Sequence, residues 1–180
     1  MAHEAIALFT EMLVNRGRLL GVDHPDTLAG QHMLAGVLTA AGRTHEAIEL
    51  YEVTLAGRVR LFGPDHPDCL ASREDLAHAL EAAGRAQEAV TLVEETLDCC
   101  QRLLGADHAR TLTSRNSMAR LLAETGARDQ ALTIYGETLT ICERTLGPEH
   151  AITRLMSQCL TRLKEPDERR KPWWSRLLLQ

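Results

Sequence analysis

Apolar and small residues recur near helical spacing in two kinds of segment that alternate along the chain. The first kind is represented by Leu28, Leu34, Ala35, Leu38 and Ala41. The second kind follows Gly42-Arg43 and is represented by Ala47, Ile48, Leu50, Tyr51, Leu55 and Leu61. This spacing predicts amphipathic helices. Because the Gly-Arg connection is so short, we expect the two helices to form an antiparallel hairpin.

The same pattern returns every 42 residues. The phrase Gly-X-Asp-His-Pro-Asp begins at Gly21 and Gly63, becomes Gly-Ala-Asp-His-Ala-Arg at Gly105, and is altered further at Gly147. A second set repeats in step with it at the hairpin connection: Gly42, Gly84 and Gly126. Self-similarity at a fixed period indicates one supersecondary unit that is stacked several times, as in an α-solenoid.

The repeat predicts the organisation of the 180-residue chain. We expect a solenoid over residues 1–166 and a basic, aromatic tail over 167–180 that forms a short capping helix. The predicted parts of the solenoid are a half repeat at 3–20, full hairpins at 24–62, 66–104 and 108–146, and a last half repeat at 150–164.

Local signals predict where the first helix of each hairpin begins and ends. Asp23, Asp65 and Asp107 are expected to be N-caps, since a short polar side chain there accepts a hydrogen bond from the first turn. Pro25 and Pro67 are expected in that first turn, where a missing N–H costs nothing. Glycine is expected to end these helices.

Composition narrows the class of protein. A net charge of -5 argues against a general nucleic-acid or anionic-membrane binder. No apolar run approaches the roughly 18 residues of a membrane span, and the five cysteines lack the spacing of metal ligands. We therefore expect reduced thiols in a cytoplasmic protein. Arginine outnumbers lysine 18 to 2, which is typical of a GC-rich bacterial genome.

Catalytic and metal-binding chemistry is not indicated. Histidines repeat at matched positions, but each lies in a separate turn between repeats, too far from the others to share one ion: His24, His66, His108 and His150. No phosphate-binding loop, nucleophile elbow or dinucleotide fingerprint occurs in the sequence. We predict no enzymatic activity, no cofactor and no metal site.

The repeat resembles that of a known family. Leu34-Ala35, Ala41-Gly42-Arg43, Glu46-Ala47 and Tyr51, followed by Leu-Gly-X-Asp-His-Pro, are similar to the tetratricopeptide repeat in its long, kinesin-light-chain-like form. The resemblance covers roughly residues 3–164. It implies an all-α fold, a right-handed α-solenoid of antiparallel helix hairpins whose first helices line a concave groove.

The resemblance also implies which residues contact a partner. In the family, one variable stripe of each first helix binds extended peptides. The corresponding positions here are His32, Met33 and Gly36; Glu74, Asp75 and His78; Asn116, Ser117 and Arg120; and Gln158, Cys159 and Arg162. Kinesin light chains typically carry a pair of asparagines in this helix, and Asn116 is the one asparagine present at the equivalent positions here. That family's cargo motif is therefore not carried over.

Two functions follow as hypotheses. The first is a non-catalytic scaffold that binds a peptide or protein segment in its groove, without nucleic-acid partners. The alternative is a self-associating regulatory or sensor module of a bacterial signalling ATPase or transcriptional regulator. A homodimer would form through the open solenoid ends or through the tail, where apolar contacts are expected from Trp173, Trp174, Leu177 and Leu178. Whether the tail caps its own solenoid or docks elsewhere is left open by the sequence.

Overall fold

The computed structural model describes residues 2–165, with side chains from residue 6 onward. The described chain consists of α-helices joined by short turns and contains no strand. The helices are α1 (Ala2–Leu20), α2 (Pro25–Ala40), α3 (Thr44–Phe62), α4 (Pro67–Ala82), α5 (Ala86–Leu104), α6 (Ala109–Glu124), α7 (Arg128–Thr145) and α8 (Ala151–Lys164). The predicted capping helix at 167–180 lies outside the described residues.

The chain divides into two compact units, Met1–Leu103 and Leu104–Gln180. In the first unit α2 packs on α1 and α3, and α3 packs on α4. Leu70 of α4 shares a buried cluster with Cys99 and Cys100 of α5. In the second unit α7 packs on both α6 and α8. Within each unit, therefore, helices that are adjacent in sequence are neighbours in space.

Close packing in the first unit depends on small residues where helices meet. Ala35 of α2 and Ala47 of α3 are completely buried. At Gly57 of α3, a Cβ atom would lie only 2.5 Å from Cδ2 of Leu28 on α2. Glycine at this position therefore lets the second helix approach the first more closely than any other residue would allow.

The second unit repeats this arrangement with its own residues. Leu112 and Ala119 of α6 share a buried cluster with Ala131 and Tyr135 of α7. Met156 of α8 belongs to the same cluster and is almost fully buried. Burial of side chains of this size supplies the main favourable term for helix association.

The prediction that Asp23, Asp65 and Asp107 cap the first helices is wrong. The N-caps are the histidines that follow them, whose Nδ1 atoms accept hydrogen bonds from the backbone two residues later at 3.1–3.3 Å: His24, His66, His108 and His150. The physical reason is position, because Pro25 and Pro67 are the first helical residues and the cap must immediately precede them.

The displaced aspartates form ion pairs instead. Each pairs with an arginine 37 residues later, near the end of the second helix of the same hairpin: Asp23 with Arg60 at 2.6 Å, Asp65 with Arg102 at 3.1 Å, and Asp107 with Arg144 at 3.4 Å. The cysteine thiol of Cys99 also donates a hydrogen bond to Asp65, with 3.1 Å between sulfur and oxygen. These contacts attach each turn to its own hairpin.

The turn between the two helices of a hairpin uses glycine and arginine. Gly42 has a φ of 76°, in the left-handed region that favours glycine, which confirms its expected place at the end of the first helix. Arg43 then donates hydrogen bonds to Glu46 in the first turn of the second helix. Arg85 and Glu88 repeat this pair at 2.6 Å.

Candidate functional site

The variable stripe of the first unit lies on α2 and α4. Met33 and His78 are exposed, whereas His32, Gly36 and Asp75 are half-buried. Glu74 is half-buried as well. We refer to these six residues as the first stripe. They combine two acids, two histidines and an exposed methionine on one surface, so the first stripe has both polar and apolar contacts to offer.

His32 and Asp75 connect the two helices of the first stripe. The His32 Nε2 atom lies 3.0 Å from the Asp75 carboxylate oxygen Oδ2. The edge of the imidazole ring contacts the Tyr51 ring, with centroids 5.3 Å apart and planes at 66°. The Nδ1 atom of His32 is buried and has no hydrogen-bond partner within the described chain. The ring is therefore held by its contacts on two sides and retains one unused polar atom.

Tyr51 forms the floor beneath His32. Burial raises the pKa of its phenol, and the nearby Asp75 carboxylate raises it further. A Cβ atom at Gly36 would lie 3.5 Å from the Tyr51 hydroxyl, so the tyrosine packs closely beneath this glycine and is itself buried. On α4, the Nδ1 atom of His78 lies 3.7 Å from the Oε2 atom of Glu81, which follows one turn later in the same helix.

The variable stripe of the second unit begins on α6. We refer to Asn116, Ser117 and Arg120, with Gln158, Cys159 and Arg162 of α8, as the second stripe. Arg120 lies 3.5 Å from Glu124 one turn later. The Asn116 side-chain oxygen Oδ1 is buried and accepts no hydrogen bond within residues 2–165. An amide oxygen in this state is costly to bury and is an available acceptor for a ligand.

Tyr135 connects the α6 and α8 parts of the second stripe. It is buried and shares a hydrogen bond with Cys159, and both burial and that cysteine raise the pKa of its phenol. Gln158 and Arg162 are exposed on α8. By the 42-residue offset, Arg120 and Arg162 of the second stripe both occupy the repeat position that His78 occupies in the first stripe.

Some residues beside the stripes could not be recognised from sequence. Arg115 is half-buried, and its guanidinium lies 3.5 Å from the Glu137 carboxylate on α7. Its Nε atom has no partner in the described part of the second unit. The sequence signal for the tyrosine floor was present, since Tyr51 and Tyr135 lie two repeats apart at matched positions.

The histidines of the turns have a structural task as N-caps and do not converge. Among residues 2–165, no group of three or more histidine, cysteine, aspartate or glutamate side chains is arranged to hold a metal ion. The cysteines in this range are free thiols. In the same range no helix combines the length and hydropathy that a membrane span requires.

A family model for the tetratricopeptide repeat matches residues 31–99 and 73–144 of the chain. These two overlapping matches cover well over half of the sequence. The chain belongs to the tetratricopeptide repeat family. The resemblance seen in the repeated motifs is confirmed. No curated protein matches the sequence.

Solved structures of tetratricopeptide proteins are similar over nearly the whole chain. A Podosopora anserina protein, described as a kinesin light chain with nearly identical TPR-like repeats, has a TM-score of 0.81 and 31% identity over 90% of this chain and 77% of its own. A one-residue variant of that protein has a TM-score of 0.83 at 31% identity, over 90% and 76%. BtubC (BKLC) from P. vanneervenii shares the fold at 21% identity, with a TM-score of 0.73 over 91% and 65%.

These comparisons, together with the consecutive helix hairpins, confirm the predicted fold class of a tetratricopeptide α-solenoid. Tetratricopeptide folds generally serve as protein-interaction scaffolds.

Proposed function

We propose that this chain is a non-catalytic scaffold that binds an extended peptide or protein segment along the first helices of its hairpins, the face that lines the concave groove in the family. The observation that carries this proposal is the state of the Asn116 side chain. Its side-chain oxygen is buried without a hydrogen-bond partner, on the stripe that changes from repeat to repeat. A backbone N–H of a bound segment would satisfy that oxygen, because buried amide groups are rarely left unpaired.

The two stripes favour segments of different charge. Glu74 and Asp75 give the first stripe carboxylates that suit a lysine or arginine side chain. Arg120 and Arg162 give the second stripe guanidinium groups that suit carboxylates. We therefore expect the two stripes to prefer peptide segments of opposite charge. Specificity would come from polar contacts distributed along the stripes. Because the receptor helices are already formed, binding would cost the receptor little conformational entropy.

Self-association is a second candidate function. The observation that favours it is the row of exposed apolar side chains on α1, which includes Leu8, Met12, Leu19 and Leu20. In this role the chain would be a regulatory or sensor module of a bacterial signalling ATPase or transcriptional regulator. A homodimer would form through these apolar side chains of α1.

We place either activity in the cytoplasm. Cys69, Cys99, Cys100 and Cys142 are buried as free thiols, and Cys159 is half-buried. Free thiols persist in reducing compartments.

The test of the scaffold begins with a displayed library of random extended peptides that is selected on the intact chain. The dissociation constant of a selected peptide is then measured for the wild type and for a variant that carries Glu74→Ala, His78→Ala, Asn116→Ala and Arg120→Ala. We expect binding to be lost while the helical circular dichroism is preserved. Unchanged binding by the variant would remove the stripes from consideration.

A further inference from the structure

His32 of α2 and Asp75 of α4 meet at the surface of the first stripe. The His32 Nε2 atom lies 3.0 Å from the Oδ2 atom of Asp75. The imidazole side chain is 21% exposed and the carboxylate is 45% exposed, so a ligand on the stripe can reach the carboxylate. The contact uses one of the two carboxylate oxygens. Because a carboxylate accepts several hydrogen bonds, the Oδ1 atom can accept from a ligand at the same time.

The contact decides which nitrogen of His32 carries the proton. A carboxylate oxygen only accepts hydrogen bonds, so the nitrogen that faces it must be the N–H of the neutral ring. Nε2 therefore carries the proton, and Nδ1 carries the lone pair. Nδ1 is buried and has no hydrogen-bond partner among the described residues. With the ring neutral, the pair has the single negative charge of Asp75; with the ring protonated, the pair has no net charge.

The helices α1 and α3 place no second titrating charge against His32. From α3, the ring faces Tyr51, whose pKa is raised by burial and by the Asp75 carboxylate, so the phenol stays uncharged near neutral pH. From α1, Arg16 donates a hydrogen bond to the carbonyl oxygen of Asp26, six residues before His32. Asp26 is the other titratable residue of α2 itself.

The helix α4 contributes the remaining charges of the first stripe. Glu74 precedes Asp75, and His78 follows it by one turn. The Nδ1 atom of His78 lies 3.7 Å from the Oε2 atom of Glu81, so this histidine has a carboxylate neighbour of its own. The imidazole in contact with Asp75 is therefore that of His32.

We propose that Asp75 binds the guanidinium or ammonium group of an arginine or lysine in the bound segment, and that His32 controls this contact through its protonation state. The inference rests on the scaffold function proposed above and names the side chain that the first stripe selects. With the ring neutral, Nε2–H holds Oδ2 while Oδ1 accepts a charge-assisted hydrogen bond from the ligand. The protonated ring neutralises Asp75 and repels the ligand cation, so acidification releases the segment.

The sign of the pH dependence follows from these charges. Carboxylates stay ionised between pH 5 and 8, whereas imidazoles change charge in this range. As pH falls from 7.5 to 5.5, the pair changes from negative towards neutral, and its affinity for a cation decreases. A ligand carboxylate bound by the protonated ring would give the opposite sign.

The second unit has the same three positions without this charge pair. By the repeat offset, Asn116 corresponds to His32, Cys159 to Asp75 and Tyr135 to Tyr51. Neither an imidazole nor a carboxylate is present at these positions. Asn116 also shows that a first helix accepts asparagine at the position of His32, which makes His32→Asn a suitable substitution that does not titrate.

The probe is a peptide that is selected on the full chain at pH 7.5 from a displayed library. Each member carries one central arginine, no histidine and no acidic residue, and the selected peptide is synthesised with both ends blocked. Its charge is therefore the same at pH 7.5 and pH 5.5. Titration calorimetry gives its dissociation constant at both pH values for the wild type, His32→Asn and Asp75→Asn.

We expect the wild type to bind about twofold to fivefold more weakly at pH 5.5, which is the loss of a half-exposed charge pair. His32→Asn should bind equally at both pH values, and Asp75→Asn should be equally weak at both. His45→Asn, at an exposed histidine of α3, is the matched control and should keep the wild-type pH dependence. A peptide with citrulline, an uncharged analogue of arginine, should bind the wild type equally at both pH values.

The other outcomes overturn the inference. A pH dependence that persists in His32→Asn, that disappears in His45→Asn, or that has the opposite sign would refute control by His32, while peptide binding would stand. A peptide whose affinity ignores Asp75→Asn at pH 7.5 would refute the contact with Asp75. A library that yields no peptide for the full chain would refute the scaffold function together with this inference.

The tautomer of His32 gives a test that needs no peptide. A long-range proton–nitrogen correlation spectrum of the histidine side chains reports which ring nitrogen is protonated. We expect the Nε2–H tautomer for His32 in the free full chain at pH 7.5, and an Nδ1–H tautomer would overturn the inference. Circular dichroism at both pH values verifies that the helices of each variant are intact.

Discussion

The imidazole of His32 and the carboxylate of Asp75 meet at 3.0 Å and join the first helices of two successive hairpins. The two residues lie on the stripe that varies between repeats, so the contact is specific to this pair of repeats. The ring of Tyr51 makes an edge-to-face contact with the imidazole of His32. This arrangement fixes a carboxylate at the surface where a partner segment is proposed to lie.

The first prediction concerns the charge preference of the first stripe. Replacement of Asp75 by Asn should weaken binding of a cationic peptide about twofold to fivefold, because a half-exposed charge pair contributes modestly. Isothermal titration of a selected peptide checks this. Glu52→Gln, an exposed acid on α3, is the matched control. Equal losses in the two variants would indicate long-range attraction without a site at Asp75.

The second prediction distinguishes the two cap assignments. His108→Ala should lower the free energy of unfolding by about 1 kcal/mol, since it removes the acceptor for the backbone N–H of Arg110. Asp107→Asn should cost at most about 0.5 kcal/mol, because its pair with Arg144 is exposed and 3.4 Å long. Urea unfolding of both variants gives the comparison. His66 is less suitable, since its ring also stacks on Phe62 at 4.4 Å.

The reverse order of these two costs would restore the aspartate as the cap. It would also mean that the repeated Asp–Arg pairs contribute more than exposed ion pairs usually do.

The third prediction concerns close packing at Gly57. Gly57→Ala should destabilise the first unit by about 1–3 kcal/mol, because the new methyl group would overlap Leu28. Gly136→Ala, within α7, is the matched control, since a Cβ there meets nothing within 4 Å. That change should stabilise the protein by about 0.5–1 kcal/mol through helix propensity. Thermal or urea unfolding measures both, and a stabilising Gly57→Ala would contradict the packing described.

The fourth prediction concerns the Cys99 thiol. Burial, together with its hydrogen bond to Asp65, raises its pKa to about 11. In the unfolded chain a cysteine ionises near pH 8.5. Between those two pH values the unfolded state has lost the proton that the folded state keeps, so the stability from this group is complete below about pH 8.5 and falls as pH rises towards 11.

Urea unfolding at pH 8 and pH 10 measures that loss. Cys99→Ala should lose less stability between the two pH values than the wild type, and Cys159→Ala, at the half-buried cysteine, serves as the comparison. The same fall in stability in wild type and Cys99→Ala would show that another group causes it.

The helices and their hairpin pairing could be predicted because the sequence repeats its own evidence. Each apolar position appears in several copies of the repeat, so a match between copies is unlikely to arise by chance. The 42-residue period therefore defines the structural unit. Gly42 and Pro25 marked helix ends because their backbones permit few alternatives. The tetratricopeptide motifs added the order of helices within a hairpin.

The N-cap residues and the side-chain contacts within the stripes were harder to predict from the sequence. Asp23 was predicted as a cap on residue type, whereas the cap was fixed by adjacency to Pro25, so His24 occupies it. The contact between His32 and Asp75 joins residues 43 positions apart, and one-dimensional spacing does not report which rotamers meet. The orphaned oxygen of Asn116 depends on neighbours that only the packed structure brings together.

The central claim is that the variable stripes hold a partner segment. Its most direct test is the dissociation constant of a library-selected peptide, measured by titration calorimetry for three forms of the full chain. They are the wild type, the variant with alanine at Glu74, His78, Asn116 and Arg120, and a control with alanine at the exposed residues Glu52, Glu94, Thr133 and Glu143 of the second helices. We predict that only the first variant loses binding. Equal affinity in all three forms, with helicity preserved, would contradict the claim.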